Sequence, residues 1–329
     1  MTVLVTGSSG HLGEALMRTL RANGRAAVGL DVIPGPFTDE VGSIADRACV
    51  ARAMASAHTV LHAATLHKPH VATHAREAFV ETNILGTLIL LEEAAGARVR
   101  AFVMTSTTSA FGDALKPPPG APAAWIDERV APVPKNIYGV TKTAAEDLCQ
   151  LFRRNEGLAS IVLRTSRFFP EEDDDPAARA AFADDNAKAN EYLFRRVAIE
   201  DVVEAHLLAA VRAPAIGFGK YIISATTPFL PADCARLRLD ARAVVSLRAP
   251  GWEDAYAERG WRMVPTVDRV YDNALARRDL GWRPKWDFAA VLQRLRETGD
   301  IRGPLAEEIG MKGYHPERFE GAPYPVTGA

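Results

Sequence analysis

Short apolar segments alternate with amphipathic segments along the first half of the chain. Continuous apolar runs predict buried strands at 2–6, 26–30, 59–63, 101–106 and 158–164. Apolar residues at helical spacing predict helices at 11–22, 77–95 and 138–154. Apolar strands that alternate with helices are typical of a parallel sheet covered on both faces. We therefore predict an α/β fold with a doubly wound parallel sheet of the Rossmann type.

The pattern changes after Arg164, where a polar region begins that extends to about Arg195. Beyond it, apolar segments predict a buried helix at 197–210 and a strand at 221–224. The change predicts two domains, which are a Rossmann-type domain at 1–165, to which 196–224 return, and a smaller C-terminal α/β substrate domain with the tail, at 166–195 and 225–329.

Composition and charge narrow the choice of partners. The 329 residues carry a formal net charge of −2, which gives no electrostatic reason to expect nucleic acid or an anionic membrane. Cys49, Cys149 and Cys234 form no CxxC pair, and the N-terminus lacks the features of a signal peptide. No segment approaches the roughly 20 apolar residues of a membrane helix. We expect a cytoplasmic protein with reduced thiols.

A glycine-rich segment, TGSSGHLG at 6–13, joins the first predicted strand to the first predicted helix. In this position Gly7 permits a tight turn, Gly10 lets a diphosphate approach the backbone, and Gly13 lets the helix pack against the strand. The amides at the start of the helix would face the anion. The segment therefore predicts a dinucleotide site with contacts from Gly7, Ser9, Gly10, His11, Leu12 and Gly13.

An acidic residue follows at a distance that suits such a site. Asp31 lies just past the second strand, where a carboxylate accepts hydrogen bonds from the adenosine ribose. It would repel a 2′-phosphate, and no arginine directly follows it, so NAD is favoured over NADP. Ser43 and Ile44, after the third strand, are candidates for contacts with the edge of the adenine.

A tyrosine and a lysine four residues apart supply candidate chemistry. Tyr138 and Lys142 share one face of a predicted helix. A free phenol has a pKa of about 10. We expect the ammonium group, together with the positive nicotinamide ring, to lower this pKa until the phenolate can act as a base. A hydroxyl cluster at 105–109 ends a predicted strand at the ligand-binding edge of the sheet and would polarise the substrate oxygen.

Together, these motifs resemble the extended short-chain dehydrogenase/reductases, also called the NAD-dependent epimerase/dehydratase family. The resemblance covers nearly the whole chain. Besides the glycine segment and Asp31, it rests on VLHAAT at 60–65, ETNILGT at 81–87, STTSAFG at 106–112, YGVTK at 138–142 and LGWRP at 280–284.

The resemblance implies roles for individual residues. Thr107 would be the catalytic hydroxyl, Tyr138 the acid/base and Lys142 its partner. The relatives commonly dimerise through a four-helix interface, which would include the helix at 138–154 and make the protein a homodimer. Further cofactor contacts would come from Ala63, Ala64, Thr65, Asn83, Thr105, Ser106, Tyr138, Lys142 and Phe168.

The substrate half departs from the patterns of the family. Thr108 and Ser109 stand where sugar dehydratases carry Asp-Glu, so dehydration is not expected. The LRxxN motif of UDP-galactose 4-epimerases reads LRTSR at 163–167, whereas Arg262 falls where those enzymes place a diphosphate-binding arginine. The run LRTSRFFPE also resembles a stretch of uronate dehydrogenases, which oxidise free sugar acids. Candidate substrate contacts are His67, Thr108, Ser109, Arg167, Arg196 and Arg262.

Other features favour ordinary roles. His62, His67, His70 and His74 cluster without an HExxH motif, so we expect polar loop histidines and no metal site. The acidic segment 171–175 is expected to be a solvated loop.

Three functions stay open. A nucleotide-sugar epimerase would oxidise a carbinol, return the hydride to the other face and keep NAD bound. A dehydrogenase of a free sugar, a sugar acid or a related alcohol would release NADH. A non-enzymatic, NAD-responsive binding protein is disfavoured by the intact set Thr107, Tyr138 and Lys142, because a sensor needs no phenol–lysine pair.

Overall fold

A parallel sheet forms the centre of the molecule. The strands are β1 (Thr2–Thr6), β2 (Ala27–Asp31), β3 (Glu40–Val41), β4 (Ala57–His62), β5 (Ala101–Thr107), β6 (Ala124–Ile126), β7 (Ser160–Thr165), β8 (Phe218–Ile223) and β9 (Arg269–Tyr271). The computed structural model describes residues 1–173 and 176–312, and within them the main sheet has the order β3-β2-β1-β4-β5-β7-β8 with all strands parallel. β6 and β9 form a separate parallel pair. The strand order changes direction at β1, which opens a crevice at the carboxyl edge of the sheet.

Helices cover both faces of the main sheet. The helices are α1 (His11–Ala22), α2 (Arg47–Met54), α3 (Arg76–Phe79), α4 (Gly86–Gly96), α5 (Ile137–Glu156), α6 (Pro176–Ala181), α7 (Asp184–Glu191), α8 (Ile199–Ile216), α9 (Cys234–Leu237), α10 (Ala241–Arg248), α11 (Trp252–Ala257), α12 (Ala274–Asp279), α13 (Phe288–Thr298) and α14 (Pro304–Ile309). α1 and α8 pack on one face, and α2, α4 and α5 pack on the other.

Alternation along the strands divides the core into two layers. Val3 and Val5 of β1 pack with α1 and α8, whereas Leu4 between them packs with the helices of the opposite face. Successive side chains of a strand point to opposite faces, so strands that are apolar throughout bury both sides. The predicted α/β class with a Rossmann-type parallel sheet is confirmed.

A further apolar cluster lies beyond the main sheet. It joins α7, α9, α10, α11 and α13 around Trp252, Tyr256 and Phe288. Meanwhile α8 and β8 return the chain to the main sheet, where β8 pairs with β7. The boundaries of the two domains stay a prediction.

Most predicted elements are present, with differences at short or interrupted ones. β3 has two residues and pairs with β2 only at Leu30–Glu40 and Asp31–Val41, which is too short for an apolar pattern to mark. The helix predicted at 77–95 is interrupted, because a π-helical turn at Val80–Leu85 separates α3 from α4. Residues 174–175 of the acidic segment and 313–329 of the tail lie outside the described residues.

The described residues include no helix that is both long and apolar enough to cross a membrane. The cysteines at 49, 149 and 234 are buried free thiols. This agrees with the prediction that they form no disulfide framework.

Buried histidines predict a loss of stability in mild acid. His62 and His206 are fully buried, and burial lowers their pKa to about 3 and about 4. In the unfolded chain, histidine takes up its proton at the ordinary pKa of about 6.5, so acid favours unfolding. The stabilisation is complete above about pH 6.5 and is lost as the pH falls below that value. We expect urea melts to show a loss of about 1.4 kcal/mol per pH unit for each histidine.

A matched pair of variants isolates this effect. His206→Gln should reduce the pH slope, whereas His58→Gln, at an exposed position of β4, should leave it unchanged. An unfolding free energy that stays flat from about pH 7 to about pH 5 would contradict the prediction.

Candidate active site

One large cavity opens at the carboxyl edge of the main sheet. Its volume is about 890 Å³, and its walls are formed by the described residues of the glycine segment, the ends of β2, β4 and β5, the start of α5 and the segment after β7. The size suits a dinucleotide together with part of a second ligand. Most sequence-predicted site residues line it: Gly7, Ser9, Gly10, His11, Leu12, Gly13, Asp31, Ser43, Ile44, Ala63, Ala64, Thr65, His67, Thr105, Ser106, Thr107, Thr108, Ser109, Tyr138, Arg167 and Phe168.

The glycine segment makes a backbone cradle. Gly7 has a φ of 73°, and a Cβ on Gly13 would lie 1.8 Å from the Gly7 carbonyl oxygen, so both positions require glycine. Gly10 precedes α1 without a side-chain cap, which leaves the first amides of the helix available to a ligand in the cavity. An anion such as a diphosphate fits this cradle.

Asp31 lies at the end of β2, on the wall of the cavity beside the glycine segment. Its carboxylate accepts hydrogen bonds from the Ser9 amide and the Ile33 amide, each at 2.9 Å. These bonds fix the carboxylate beside the glycine segment, and Ser43 and Ile44 lie on the same cavity wall. A negative charge held there suits ribose hydroxyls and disfavours a phosphate.

Alanine substitutions at two glycines of the cradle should have different effects, one on NAD affinity and the other on stability. A Cβ on Gly10 would meet only the Gly7 oxygen at 3.3 Å, so Gly10→Ala should fold but bind NAD about tenfold or more weakly, because the methyl group fills the diphosphate approach. Gly13→Ala should destabilise the fold by about 1–3 kcal/mol or more, because the backbone must move. Fluorescence titration with NADH and urea melts measure the two effects.

Gly96→Ala is the control for both variants. Gly96 ends α4, is exposed, and has no atom within 4 Å of an added Cβ. Equal NADH affinity of the Gly10→Ala variant and the unchanged protein would argue against the cradle as the diphosphate site.

Tyr138 and Thr107 meet on the cavity wall. Asn136 caps the start of α5 by accepting a hydrogen bond from the Gly139 amide at 3.0 Å, which fixes the first turn that carries Tyr138. Burial raises the pKa of Tyr138 to about 12, and a hydrogen bond with Thr107 offsets only part of this rise. Lys142 is not among the causes of this shift, and the lowering by Lys142 together with the nicotinamide ring stays a prediction for the enzyme with its cofactor.

Lys142 lies one turn along α5 and is 3% exposed. Burial lowers its pKa to about 8, although the carboxylate of Glu146 raises it. It is not among the described residues that line the cavity, and its direct contact with the cofactor stays a prediction. Its charge keeps His62 neutral, in addition to the effect of burial.

The hydroxyls of Thr105 and Ser106 are engaged within the protein. Thr105 Oγ1 lies 2.8 Å from His206 Nε2, and Ser106 Oγ donates to Glu146 Oε1 at 2.6 Å. Although both residues reach the cavity wall, these bonds turn their hydroxyls to other partners. Their contact with the cofactor stays a prediction.

Asn83 is a brace between the loop after β4 and α5. Its amide donates to the Leu66 carbonyl at 2.9 Å and to Thr141 Oγ1 at 3.0 Å, and its carbonyl oxygen accepts from Thr65 and the Leu66 amide. The side chain is buried, and it lies outside the cavity lining of the described residues. It positions Thr65, and its direct contact with the cofactor stays a prediction.

Three arginines that follow β7 in the chain form ion pairs with acidic side chains. Arg195 and Arg196 pair with Glu191 at 2.7 and 2.9 Å, and Arg167 pairs with Asp173 at 2.6 Å. Burial by itself raises the pKa of Glu191, but these cations outweigh it and keep the pKa well below its usual range.

Two predicted substrate contacts therefore lie elsewhere. Arg196 is buried and donates to the Phe169 carbonyl, and it does not line the cavity within the described residues. Arg262 is also absent from that lining, because it lies over the Phe182 ring at 5.7 Å and donates to the Ala181 carbonyl. Neither side chain is among the described residues that line the cavity in this structure, and their contact with the substrate stays a prediction.

The loop after β4 carries the clustered histidines. His67 lines the cavity, and its ring lies 5.4 Å from that of Phe169 and 4.6 Å from that of His70. Over the residues that the structure describes, no group of three or more His, Cys, Asp or Glu side chains could hold a metal ion.

Three basic cavity residues were missed from the sequence. Lys116, Lys135 and Arg269 line the same cavity, and they come from separate parts of the chain. For Lys135 the sequence carried one local signal, because this residue stands three positions before Tyr138. The others reach the cavity only through the pairing of distant segments.

Comparison with known proteins agrees with this geometry. Residues 3–220 match the model of the NAD dependent epimerase/dehydratase family. A UDP-glucose 4-epimerase of Rhizobium meliloti is 27% identical over 88% of this chain and 94% of its own length. A dTDP-glucose 4,6-dehydratase of Streptomyces antibioticus is 29% identical over 89% of this chain and 91% of its own length. Other curated relatives match over about half of this chain and 40–52% of their own length.

A solved structure supports the fold. A short-chain dehydrogenase/reductase superfamily protein from Agrobacterium tumefaciens, solved with bound NAD, superposes with a TM-score of 0.63 over 94% of this chain and 99% of that chain, at 22% identity. Since the family model covers residues 3–220 and the motifs lie in the order that the resemblance implies, the chain belongs to the NAD dependent epimerase/dehydratase family.

Proposed function

We propose that the protein is an NAD-dependent oxidoreductase or epimerase that acts on a carbinol of a sugar or nucleotide sugar. The observation that carries this proposal is the buried pair of Tyr138 and Thr107 on the wall of the cavity that the glycine segment closes. A phenol and an alcohol side by side can hold one substrate oxygen and exchange its proton.

In this proposal one set of residues binds the cofactor and another set binds the substrate. NAD, when bound, supplies the acceptor and donor of hydride. The first amides of α1 hold its diphosphate, and Asp31 holds its adenosine ribose. Thr107 orients the substrate oxygen, and the Tyr138 hydroxyl exchanges a proton with that oxygen. The buried Lys142 ammonium, one turn along α5, stabilises the phenolate when it forms.

Dehydration is not part of the proposal. Thr108 and Ser109 follow Thr107 with hydroxyl side chains, and neither can serve as the carboxylate acid or base of a water elimination. The relatives include both an epimerase and a dehydratase, so this argument rests on the side chains alone.

Net formation of NADH distinguishes a dehydrogenase from an epimerase. The test incubates the purified protein with NAD and UDP-glucose, and separately with D-glucuronate, and follows NADH absorbance and sugar composition. Interconversion of the sugars without NADH supports an epimerase. Accumulation of NADH supports a dehydrogenase, and neither product with any sugar tested would sink the proposal.

A second candidate is an NAD-dependent dehydrogenase of a free sugar acid. Its support is that Arg262, the expected diphosphate ligand, is held outside the cavity near α6, while lysines line the cavity beside Tyr138. A site of this kind suits a small anion better than a nucleotide that extends toward Arg262.

We also propose a homodimer. Val140 and Leu151 of α5 and Leu85 beside α4 are exposed apolar side chains, with 48%, 38% and 44% of their surface accessible. Burying exposed apolar side chains of this kind stabilises association. Light scattering of the purified protein tests the assembly, and a monomeric mass at micromolar concentration would contradict it.

A further inference from the structure

Four basic residues from four chain segments converge on one wall of the cavity. Lys68 begins the short helix after β4, Lys116 follows the turn Asp113–Leu115, Lys135 precedes the cap of α5, and Arg269 begins β9. All four line the cavity that Tyr138 and Thr107 also line. We call Lys68, Lys116, Lys135 and Arg269 the basic wall.

The backbone holds these segments together. Gly112 pairs with Val133, and the Asp113 amide donates to the Val133 carbonyl at 2.9 Å, which joins the segment of Lys116 to that of Lys135. The pairing of Ala124 with Arg269 brings β9 against β6. The convergence of charge is therefore built into the fold.

Most residues of the basic wall lack a direct ion pair. Among the described residues, the side chains of Lys116, Lys135 and Arg269 make no ion pair and no hydrogen bond, and Arg269 Nε is buried without a hydrogen-bond partner. By contrast, Arg167 and Arg195 in the same cavity are neutralised by Asp173 and Glu191. A protein with a net charge of −2 concentrates unpaired positive charge beside its candidate catalytic pair.

The charges of the wall repel one another. Burial lowers the pKa of Lys135, and Lys116, Lys68 and Arg269 lower it further, whereas Asp113 raises it. Among the described lining residues of the cavity, the carboxylates are those of Glu14, Asp31 and Glu172. Collecting like charges costs free energy, and a bound anion would recover it.

We propose that the basic wall binds the anionic group of the substrate, a carboxylate or a phosphate, and so holds the carbinol against Tyr138 and Thr107. The inference rests on the proposed function and narrows its substrate class to anionic sugars. The shared chemistry is an anionic group with acceptor oxygens, and its source is the carboxylate of a sugar acid, the phosphate of a sugar monophosphate or the diphosphate of a nucleotide sugar.

The test measures binding and not turnover. NADH affinity is first determined by fluorescence, and the NADH-loaded protein is then titrated calorimetrically with D-glucuronate, glucose 1-phosphate, UDP-glucose and, as the neutral control, D-glucose. The preferred anion identifies the source of the charge. Lys135→Ala and Arg269→Ala should each weaken its binding by about tenfold or more and leave NADH affinity unchanged.

Lys285→Ala is the matched control, because Lys285 is exposed and lies outside the cavity lining of the described residues. Since removing an unpaired cation relieves repulsion, thermal melts should show both test variants folded. Unchanged anion affinity in both folded variants, or no binding of any of the three anions at millimolar concentration, would overturn the proposal. Anion binding without turnover would instead refute the proposed function and leave the basic wall as an anion site.

Discussion

Replacing Tyr138 with phenylalanine should lower turnover by about 10²–10⁴-fold while the protein stays folded and binds NADH as before. The ring remains packed at the start of α5, and only the hydroxyl is lost, together with its hydrogen bond to Thr107. Because burial raises the pKa of this phenol to about 12, the hydroxyl carries its proton at neutral pH and is the group that can give it to a substrate oxygen. Steady-state rates and NADH fluorescence measure the two effects separately.

Tyr192 provides the matched control for this variant. It is also 7% exposed and has a pKa raised by burial, but it does not line the cavity formed by the described residues. Tyr192→Phe should therefore keep normal rates. If Tyr138→Phe retained full activity, the hydroxyl would have no role in catalysis, and the hypothesis of an NAD-responsive binding protein would become the better one.

The cofactor half was predictable from the sequence because its signals are local. The turn at Gly7 and the close contact at Gly13 follow from the segment that joins β1 to α1. Asp31 follows from the end of the next strand. Each prediction needed only neighbouring residues and the rule that parallel strands end at one edge of a sheet.

The substrate half was not predictable, because its charges are decided by distant partners. Arg196 looked available until folding placed Glu191 against it, and Arg262 is drawn to Ala181 on α6. Conversely, Arg269 reaches the cavity through the pairing of β9 with β6, which brings it beside Ala124. A sequence pattern records the sign of a charge but not which charge will neutralise it.

The pKa of Tyr138 illustrates the same limit at the catalytic pair. Four-residue spacing correctly placed Lys142 one turn away, but spacing carries no information about burial. Here burial dominates, raising the pKa of the phenol and lowering that of Lys142 to about 8.

Glu146 is a buried counter-charge for Arg164 and for Lys142. It is fully buried on α5, where Arg164 donates to both of its oxygens at 2.6–3.2 Å, Ser106 donates at 2.6 Å, and Lys220 lies 3.2 Å away. Burial raises the pKa of Glu146, but Arg164 and the other partners outweigh it, so the carboxylate is ionised. Its charge in turn raises the pKa of Lys142, one turn earlier.

Glu146→Gln should therefore destabilise the protein by about 3–5 kcal/mol, because Arg164 is left buried without its counter-charge. Urea melts measure this loss, and Glu156→Gln, at the exposed end of α5, should change stability by less than about 0.5 kcal/mol. Without the Glu146 charge, the pKa of Lys142 falls below about 8, so the ammonium is lost at a lower pH than in the unchanged enzyme. The high-pH limb of the rate profile should shift to lower pH in the folded variant, and an unshifted limb would separate Glu146 from the charge of Lys142.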